Sequence, residues 1–238
     1  MRSLQRTKRT TVTLSLLVLC GILAGYIGFR ITHRASLIAL INAPAAQTPA
    51  AASGASEPSA KAPAVPESLP DVRMPDLSGT ERSLRDFLGH PLIVNFWATW
   101  CDPCRREMPL LQQLWTQYRP AGLQVVGIAV DSRAAVQQYL RTTRVGYPLL
   151  VGEDEGSAAV ARFGIEPVLP FSVFADAKGR IVAVKVGELH PAEARFIVAQ
   201  VEQVTQGRET LPQARVAIAA ELRQLAVQRA KQTAQSGG

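Results

Sequence analysis

Trp100-Cys101-Asp102-Pro103-Cys104 joins a short apolar run, residues 92–96, to a segment with the periodicity of a helix. The apolar run has the composition of a buried strand, so the two cysteines fall where a strand ends and a helix begins. A helix N-terminus carries partial positive charge and unpaired N–H groups, which together stabilise a thiolate. A second thiol one helical turn further along can displace a partner bound to the first. The spacing therefore predicts a two-step disulfide exchanger.

Two other uses of a cysteine pair are weighed against disulfide exchange. A structural zinc site needs a second pair of ligands. The remaining candidates include no pair at ligand spacing: Cys20, His33, His90 and His190. A purely structural disulfide across a two-residue gap closes a very small loop and restricts the unfolded chain very little. The strand-to-helix setting favours redox exchange, and we expect a site with no metal and no cofactor.

Charge is distributed unevenly along the 238 residues. The formal net charge is +7, and six positive charges lie within the first 34 residues, before the first acidic residue, Glu57. The net charge that remains for the rest of the chain, once those six are removed, is +1. A nearly neutral domain has no basic stripe that could release counterions from a nucleic acid, so we expect no nucleic-acid partner. The length allows one domain with a sizeable core plus appendages.

Residues 11–31 are uncharged up to Arg30 and strongly apolar. About 20 apolar residues cross a bilayer as a helix, and the basic segment 1–10 before them is expected to stay in the cytoplasm. We therefore predict a single-pass signal anchor in the inner membrane that places the rest of the chain in the periplasm of a bacterium, an oxidising compartment. The alternative is a cleaved signal peptide, but Ala43-Pro44-Ala45, which faintly resembles a cleavage site, lies far beyond the apolar core.

The remaining chain divides into a tether, a domain and a tail. Residues 32–70 are rich in alanine and proline, a composition that cannot bury a core and predicts a flexible tether. Residues 71–207 alternate strand and helix patterns, followed by a hairpin and a final helix over 191–205, which predicts a three-layer α/β/α domain with a mixed sheet. Residues 208–238 are predicted to be a helical tail, disordered at its end, with apolar residues at helical spacing that lie on the domain: Leu211, Ile218, Leu222 and Leu225.

The active-site segment resembles that of the TlpA/ResA family of membrane-anchored, thioredoxin-like proteins. The resemblance is carried by Asn95-Phe96-Trp97-Ala98-Thr99-Trp100-Cys101-Asp102-Pro103-Cys104-Arg105-Arg106-Glu107-Met108-Pro109. It extends over residues 74–204 and includes the extra segment 129–133, which separates this family from plain thioredoxins. The resemblance implies a thioredoxin-like fold and thiol-disulfide oxidoreductase activity. It also implies that Cys101 is the nucleophile and Cys104 the resolving thiol of a redox-active disulfide.

The resemblance places a glutamate near the cysteine pair, at Glu107. A partly buried carboxylate there can relay protons to a departing thiolate. The bare sequence also fits an acidic residue that simply suits the field at the helix N-terminus. Plain thioredoxins carry a buried, proton-accepting aspartate at the position of Asn95, and asparagine cannot titrate. Glu107 is therefore the predicted proton relay, whereas a buried Asn95 can only hydrogen-bond.

Leu169-Pro170-Phe171-Ser172 resembles the cis-proline loop of the same family. A cis bond before Pro170 would allow the backbone at Leu169 to pair with an extended substrate segment. The alternatives are a trans proline that begins an edge strand and a cis bond at Pro167 instead. Trp100, beside the cysteines, is predicted to line the active-site surface and to contact a partner.

Taken together, the residues and the resemblance predict a periplasmic, membrane-tethered reductase of protein disulfides. Its partners would be disulfide-containing proteins and an upstream membrane thiol reductase that returns the pair to the dithiol. The resemblance implies a role in cytochrome c biogenesis or in assembly of an oxidase copper site. Two alternatives stay open. One is a peroxiredoxin, although Ala98-Thr99-Trp100 replaces the threonine and proline that such enzymes need ahead of the cysteine. The other is a thiol-based copper-delivery or chaperone module, since thiolates suit Cu(I).

Overall fold

The structure, a computed structural model, describes residues 65–166 and 168–236. The predicted cytoplasmic segment 1–10, the anchor 11–31 and the tether up to residue 64 lie outside the described residues, as does Pro167. Among the helices of the described ranges, none combines the length and the apolar character needed to cross a bilayer.

Strands and helices follow one another largely as the sequence predicts. The strands are β1 (Arg73–Pro75), β2 (Glu81–Ser83), β3 (Leu92–Trp97), β4 (Gln124–Ala129), β5 (Leu149–Val151), β6 (Phe171–Ala175) and β7 (Ile181–Val186). The helices are α1 (Asp102–Tyr118), α2 (Arg133–Leu140), α3 (Glu153–Arg162), α4 (Pro191–Thr205) and α5 (Leu211–Ser236). Two short 3-10 helices lie at Leu84–Phe87 and Arg119–Ala121.

Five strands form a mixed sheet in the order β5-β4-β3-β6-β7, with β3 at its centre. β3 is parallel to β4, and β4 is parallel to β5, whereas β6 is antiparallel to both β3 and β7. All six residues of β3 are buried. This burial explains the unbroken apolar sequence of β3, because a central strand is covered on both faces. β1 and β2 form a separate antiparallel hairpin.

The sheet separates two apolar cores. Successive side chains of a strand point to opposite faces, so Ile93 and Trp97 enter one core while Leu92, Val94 and Phe96 enter the other. The first core contains residues of α1, α2, α4 and α5. The second contains residues of α3, of the β1–β2 hairpin and of the first 3-10 helix. The predicted three-layer α/β/α arrangement with a mixed sheet is therefore confirmed.

The predicted tail is the helix α5, which packs against α4 and β7. Ala214 and Ile218 are buried there, and Leu211 and Leu222 are half-buried against the same core. Three of the four apolar residues that the sequence spacing singles out thus face the domain, whereas Leu225 is half-buried and is not among the residues that pack against this core. The helix continues to Ser236, and the disorder predicted for the end of the tail stays a prediction, because residues 237–238 lie outside the described part.

Candidate active site

One edge of the sheet collects the motifs that the sequence singles out. Because β6 runs antiparallel to β3, with Phe96 opposite Phe171, the carboxyl end of β3 and the amino end of β6 lie at the same edge. Cys101 follows β3 at the start of α1, and Pro170 immediately precedes β6. The topology therefore brings the cysteine pair and the proline loop to one edge, although they are far apart in the sequence.

Cys101 and Cys104 form a disulfide, with their Cα atoms 5.2 Å apart. Cys101 is the N-cap of α1, and its Sγ accepts a hydrogen bond from the Cys104 N–H at 3.3 Å. Cys101 is 6% exposed and Cys104 is 0% exposed. The difference favours Cys101 as the sulfur that a partner reaches first. Within residues 65–166 and 168–236, no cluster of three or more His, Cys, Asp or Glu side chains could hold a metal ion.

The loop between β3 and α1 is held by Asp131, which follows the neighbouring strand β4. Asp131 Oδ2 accepts hydrogen bonds from the Thr99 N–H at 3.0 Å and from Thr99 Oγ1 at 2.5 Å. Arg105 donates to the carbonyl of Thr99 at 2.9 Å and pairs with Asp102. These contacts fix the backbone just ahead of the cysteines. Sequence reasoning missed this role of Asp131, although a carboxylate directly after a buried parallel strand was the available signal.

Glu107 lies on the buried face of α1, one turn after Cys104, and is 2% exposed. Its Oε1 accepts a hydrogen bond from Asn95 Nδ2 at 2.7 Å, and its Oε2 accepts one from the Leu189 N–H at 2.6 Å. Burial raises the pKa of Glu107 to about 7, because these two neutral donors offset only part of the cost of removing the charge from water. A carboxyl group with this pKa can take up and release a proton near neutral pH.

Asn95 lies fully buried on β3, beneath α1. Its Nδ2 donates both to Glu107 and to Ser172 Oγ, the latter at 3.0 Å. Its Oδ1 has no hydrogen-bond partner within the described part of the chain. The prediction that a buried Asn95 only hydrogen-bonds is consistent with these contacts, and Glu107 is the group of this pair that can titrate.

The segment 187–190, between β7 and α4, contributes to the site through its backbone. It supplies the Leu189 N–H that binds Glu107, and Arg106 donates to Glu188 Oε2 at 2.6 and 3.0 Å. Lys185 Nζ donates to the carbonyl of Glu188 at 2.9 Å. Sequence reasoning missed this segment, because a backbone N–H is common to almost every residue and leaves no signature in the sequence.

The peptide bond between Leu169 and Pro170 is cis, as the sequence predicts. The Pro170 carbonyl accepts a hydrogen bond from the Gly187 N–H at 2.8 Å. In contrast, no backbone group of the described residues hydrogen-bonds to the backbone of Leu169. Trp100 is 68% exposed and Val168 is 47% exposed. Two exposed apolar side chains, Trp100 and Val168, and the unpaired backbone of Leu169 thus belong to the loops at the sheet edge that carries the cysteine pair.

The chain is similar to known thiol-disulfide proteins. Residues 65–193 match the sequence profile of the AhpC/TSA family. The thiol-disulfide oxidoreductase ResA of Bacillus thuringiensis (strain Al Hakam) is 31% identical over 120 residues, which are 50% of this chain and 68% of that protein.

Solved structures give the same result. A thiol:disulfide interchange protein of the thioredoxin family from Chlorobium tepidum TLS has 31% sequence identity and a TM-score of 0.51, with 58% of this chain and 97% of that chain covered. A DsbF homologue from Corynebacterium diphtheriae, at 22% identity and a TM-score of 0.51, covers 60% of this chain and 95% of that chain and shows the shared fold alone.

Proposed function

The chain belongs to the AhpC/TSA family and is a ResA-like thiol-disulfide oxidoreductase with a thioredoxin-like fold, and on this premise we propose that it reduces protein disulfides in the bacterial periplasm. The observation that carries the proposal is a proton-accepting group on the helix that holds the cysteines: Glu107 is buried one helical turn after Cys104 and has a pKa of about 7. A dithiol that must lose protons while it transfers electrons needs such a group.

The proposed reaction begins from the dithiol. The Cys101 thiolate, stabilised at the N-terminus of α1, attacks one sulfur of a substrate disulfide and displaces the other substrate sulfur as a thiolate. Cys104 then attacks Cys101 Sγ, which releases the second substrate thiolate and closes the Cys101–Cys104 disulfide seen in the structure. Two electrons pass from the cysteine pair to the substrate. Glu107 accepts the proton that Cys104 loses as it attacks.

The substrate segment is proposed to bind along the same sheet edge. The backbone of Leu169 would add the segment as a further strand, since strand addition uses main-chain groups that are otherwise without partners. Trp100 would pack on the substrate side chains next to the cysteine under attack, because its ring is exposed beside Cys101. Main-chain binding tolerates many sequences, which suits an enzyme that acts on disulfides in different proteins.

Membrane tethering is proposed from the sequence of the first 70 residues. An apolar segment at 11–31 that follows a basic segment supports a single-pass anchor in the inner membrane with the domain in the periplasm. An upstream membrane thiol reductase would then return the oxidised pair to the dithiol. The resemblance to the TlpA/ResA family supports substrates from cytochrome c maturation or from assembly of an oxidase copper site.

Trapping variants of the full chain test the roles of the two cysteines. Cys104→Ser should accumulate mixed disulfides on Cys101, because the resolving sulfur is missing. Cys101→Ser should trap far less, because the remaining Cys104 is buried. Non-reducing electrophoresis followed by mass spectrometry measures the adducts, with the double serine variant as the blank. Equal trapping by both single variants would contradict the assignment.

The direction of electron flow is tested by equilibrium with glutathione. Asp102 directly follows Cys101, and its negative charge disfavours the thiolate, which favours a reducing protein; the ion pair with Arg105 reduces this effect without reversing it. We expect a potential close to that of thioredoxin, about −270 mV, and well below that of a strong oxidant such as DsbA, about −120 mV. A value near the oxidant would overturn the reductase assignment and leave the disulfide-exchange chemistry in place.

A further inference from the structure

A second buried carboxylate, Glu193, lies in the first turn of α4 and is 1% exposed. Its Oε2 accepts a hydrogen bond from the His190 N–H at 3.0 Å and lies 3.7 Å from Lys185 Nζ. Its Oε1 accepts a hydrogen bond from Arg229 Nη2 at 2.7 Å. Arg229 belongs to α5, and this helix lies wholly beyond residues 65–193, which match the family.

The contacts of Glu193 continue to Glu107 through a short stretch of backbone. His190 directly follows Leu189, whose N–H donates to Glu107 Oε2 at 2.6 Å. Lys185, the other cation beside Glu193, also donates to the carbonyl of Glu188. The segment 187–190 is therefore held from one side by α1 and from the other by Glu193, so a change at Glu193 reaches Glu107 across two adjacent residues.

We propose that Arg229 is a positioning residue of the active site, which neutralises Glu193 and thereby keeps the segment 187–190 in place with its Leu189 N–H on Glu107. A buried carboxylate that loses its cation must find another partner or move toward water. The nearest remaining cation is Lys185, which would be drawn toward Glu193 and away from the carbonyl of Glu188. The positioning role of Arg229 does not depend on the proposed function. Any effect of Arg229 on the rate of disulfide reduction, however, rests on the proton-relay role proposed above for Glu107.

The expected direction of the effect on Glu107 follows from the groups that face it. Its hydrogen-bond donors are Asn95 and Leu189, and the charges that act on it are Glu188 and Lys185. The phenol of Tyr147 also feels the charge of Glu107, and Cys104 lies one turn away on the same helix. Loss of Arg229 weakens the Leu189 hydrogen bond and moves Lys185 away. Both changes disfavour the carboxylate, so the pKa of Glu107 should rise.

The test is a carboxyl-carbon NMR titration of the oxidised full chain, labelled with ¹³C at the glutamate side-chain carboxyl. The Glu107 signal is assigned by its absence in Glu107→Gln. We expect Arg229→Gln to raise the titration midpoint of Glu107 by about half a pH unit, because a weakened hydrogen bond stabilises the carboxylate less. Arg229→Lys, which restores the positive charge, should return the midpoint most of the way.

Arg215→Gln is the matched control. Arg215 anchors the same helix, with hydrogen bonds of 2.6 and 3.2 Å to the carbonyl of Ile181 and an ion pair of 2.9 Å with Glu67, and it makes none of the hydrogen bonds or ion pairs of Glu193. It should leave the Glu107 midpoint unchanged. If Arg229→Gln leaves the Glu107 midpoint unchanged, the inference is overturned. An equal shift in Arg215→Gln also overturns it, because the shift would then come from a general loosening of α5 on the domain.

A rate measurement separates this inference from the proposed function. The probe is 5,5′-dithiobis(2-nitrobenzoate), reduced by the dithiol form of the full chain across a range of pH. If Glu107 relays protons, Glu107→Gln alters the pH profile of the rate, and Arg229→Gln moves that profile in parallel with the NMR midpoint. If Glu107→Gln leaves the profile unchanged while Arg229→Gln still shifts the NMR midpoint, the relay role fails and the positioning role of Arg229 is supported.

Discussion

Glu107 and Glu193 are equally buried carboxylates whose partners differ in kind. Glu107 accepts hydrogen bonds from two neutral donors, an asparagine amide and a backbone N–H, whereas Glu193 contacts two cations, Lys185 and Arg229. Neutral donors only partly replace water around a charge, while a cation offsets the charge itself. The same side chain is thus suited to carry a proton in one place and to anchor the structure in the other.

The position of each carboxylate explains this division. Glu107 lies one turn from Cys104, where a cation in contact with the carboxylate would hold it ionised and remove its ability to exchange a proton near pH 7. Glu193 lies where the segment 187–190 enters α4 and where α5 crosses it, and a fixed charge there joins three elements. The contrast therefore predicts that substitution of Glu193 mainly affects stability, and that substitution of Glu107 mainly affects pH dependence.

The largest expected effect on stability at pH 7 is that of Glu193→Gln. The substitution leaves the largely buried Lys185 and the partly exposed Arg229 without their anion, which costs about 3 kcal/mol of unfolding free energy, the low end for a broken buried pair. Urea denaturation of the full chain at pH 7 measures the loss, with Glu202→Gln on the same helix as the control. A loss below about 1 kcal/mol, the value of an exposed ion pair, would contradict an anchoring role for Glu193.

Glu107→Gln tests the other half of the contrast through the pH dependence of stability. Burial raises the pKa of Glu107 from 4.5 to about 7. The folded state therefore holds a proton that the unfolded state has released, and this stabilisation is complete below pH 4.5 and lost as pH rises through 7. Relative to the Gln variant, the parent chain should lose about 3 kcal/mol between these limits.

The measurement is the unfolding free energy of both chains by urea denaturation at several values of pH. Taking the difference between parent and variant removes the titration of all other groups that the two chains share. A difference that stays flat from pH 4.5 to pH 8 would mean that Glu107 is ionised throughout, as a carboxylate paired with a cation would be, and the contrast with Glu193 would fail.

A smaller effect is expected from Asn95→Ala. The amide donates to the Glu107 carboxylate at 2.7 Å and so lowers its pKa against the effect of burial. Its removal should raise the Glu107 midpoint by about one unit in the same ¹³C titration. Ser172→Ala is the control, since it removes only the acceptor of the second amide N–H. A shift in Ser172→Ala as large as that in Asn95→Ala would point to altered packing rather than to the lost hydrogen bond.

Much of the fold could be predicted because its determinants are local. The apolar run at β3, the turn between β6 and β7 and the proline at the start of α4 each specify an element from a few adjacent residues. The alternation of these elements then implies a three-layer domain with a mixed sheet. The attachment of α5 could be predicted in part, because its apolar spacing indicates that it lies on the domain. The ion pair between Arg229 and Glu193 could not, because it arises from tertiary packing that no local sequence pattern encodes.

The residues of the candidate site also differ in how far the sequence could predict them. Cys101, Cys104 and the cis bond at Pro170 could be found from residue types, spacing and resemblance, because the chemistry requires those residues. The Leu189 N–H and the carboxylate of Asp131 could not, since the first is a backbone group and the second acts across neighbouring strands. The high pKa of Glu107 could be predicted only in part. The sequence shows the glutamate, but the burial that raises its pKa is seen only in the structure.

The smallest expected effect, that of Lys185→Gln, is the sharpest test of the contrast. The ammonium group lies beside Glu193 and also lowers the pKa of Glu107, but its influence on Glu107 is weaker than burial and weaker than either hydrogen bond. The Glu107 midpoint should therefore rise by only about 0.3 unit, less than in Asn95→Ala, when both variants are measured by the same ¹³C titration. If Lys185→Gln shifted Glu107 more than Asn95→Ala did, charge rather than neutral hydrogen bonds would control Glu107. The two carboxylates would then be the same kind of site.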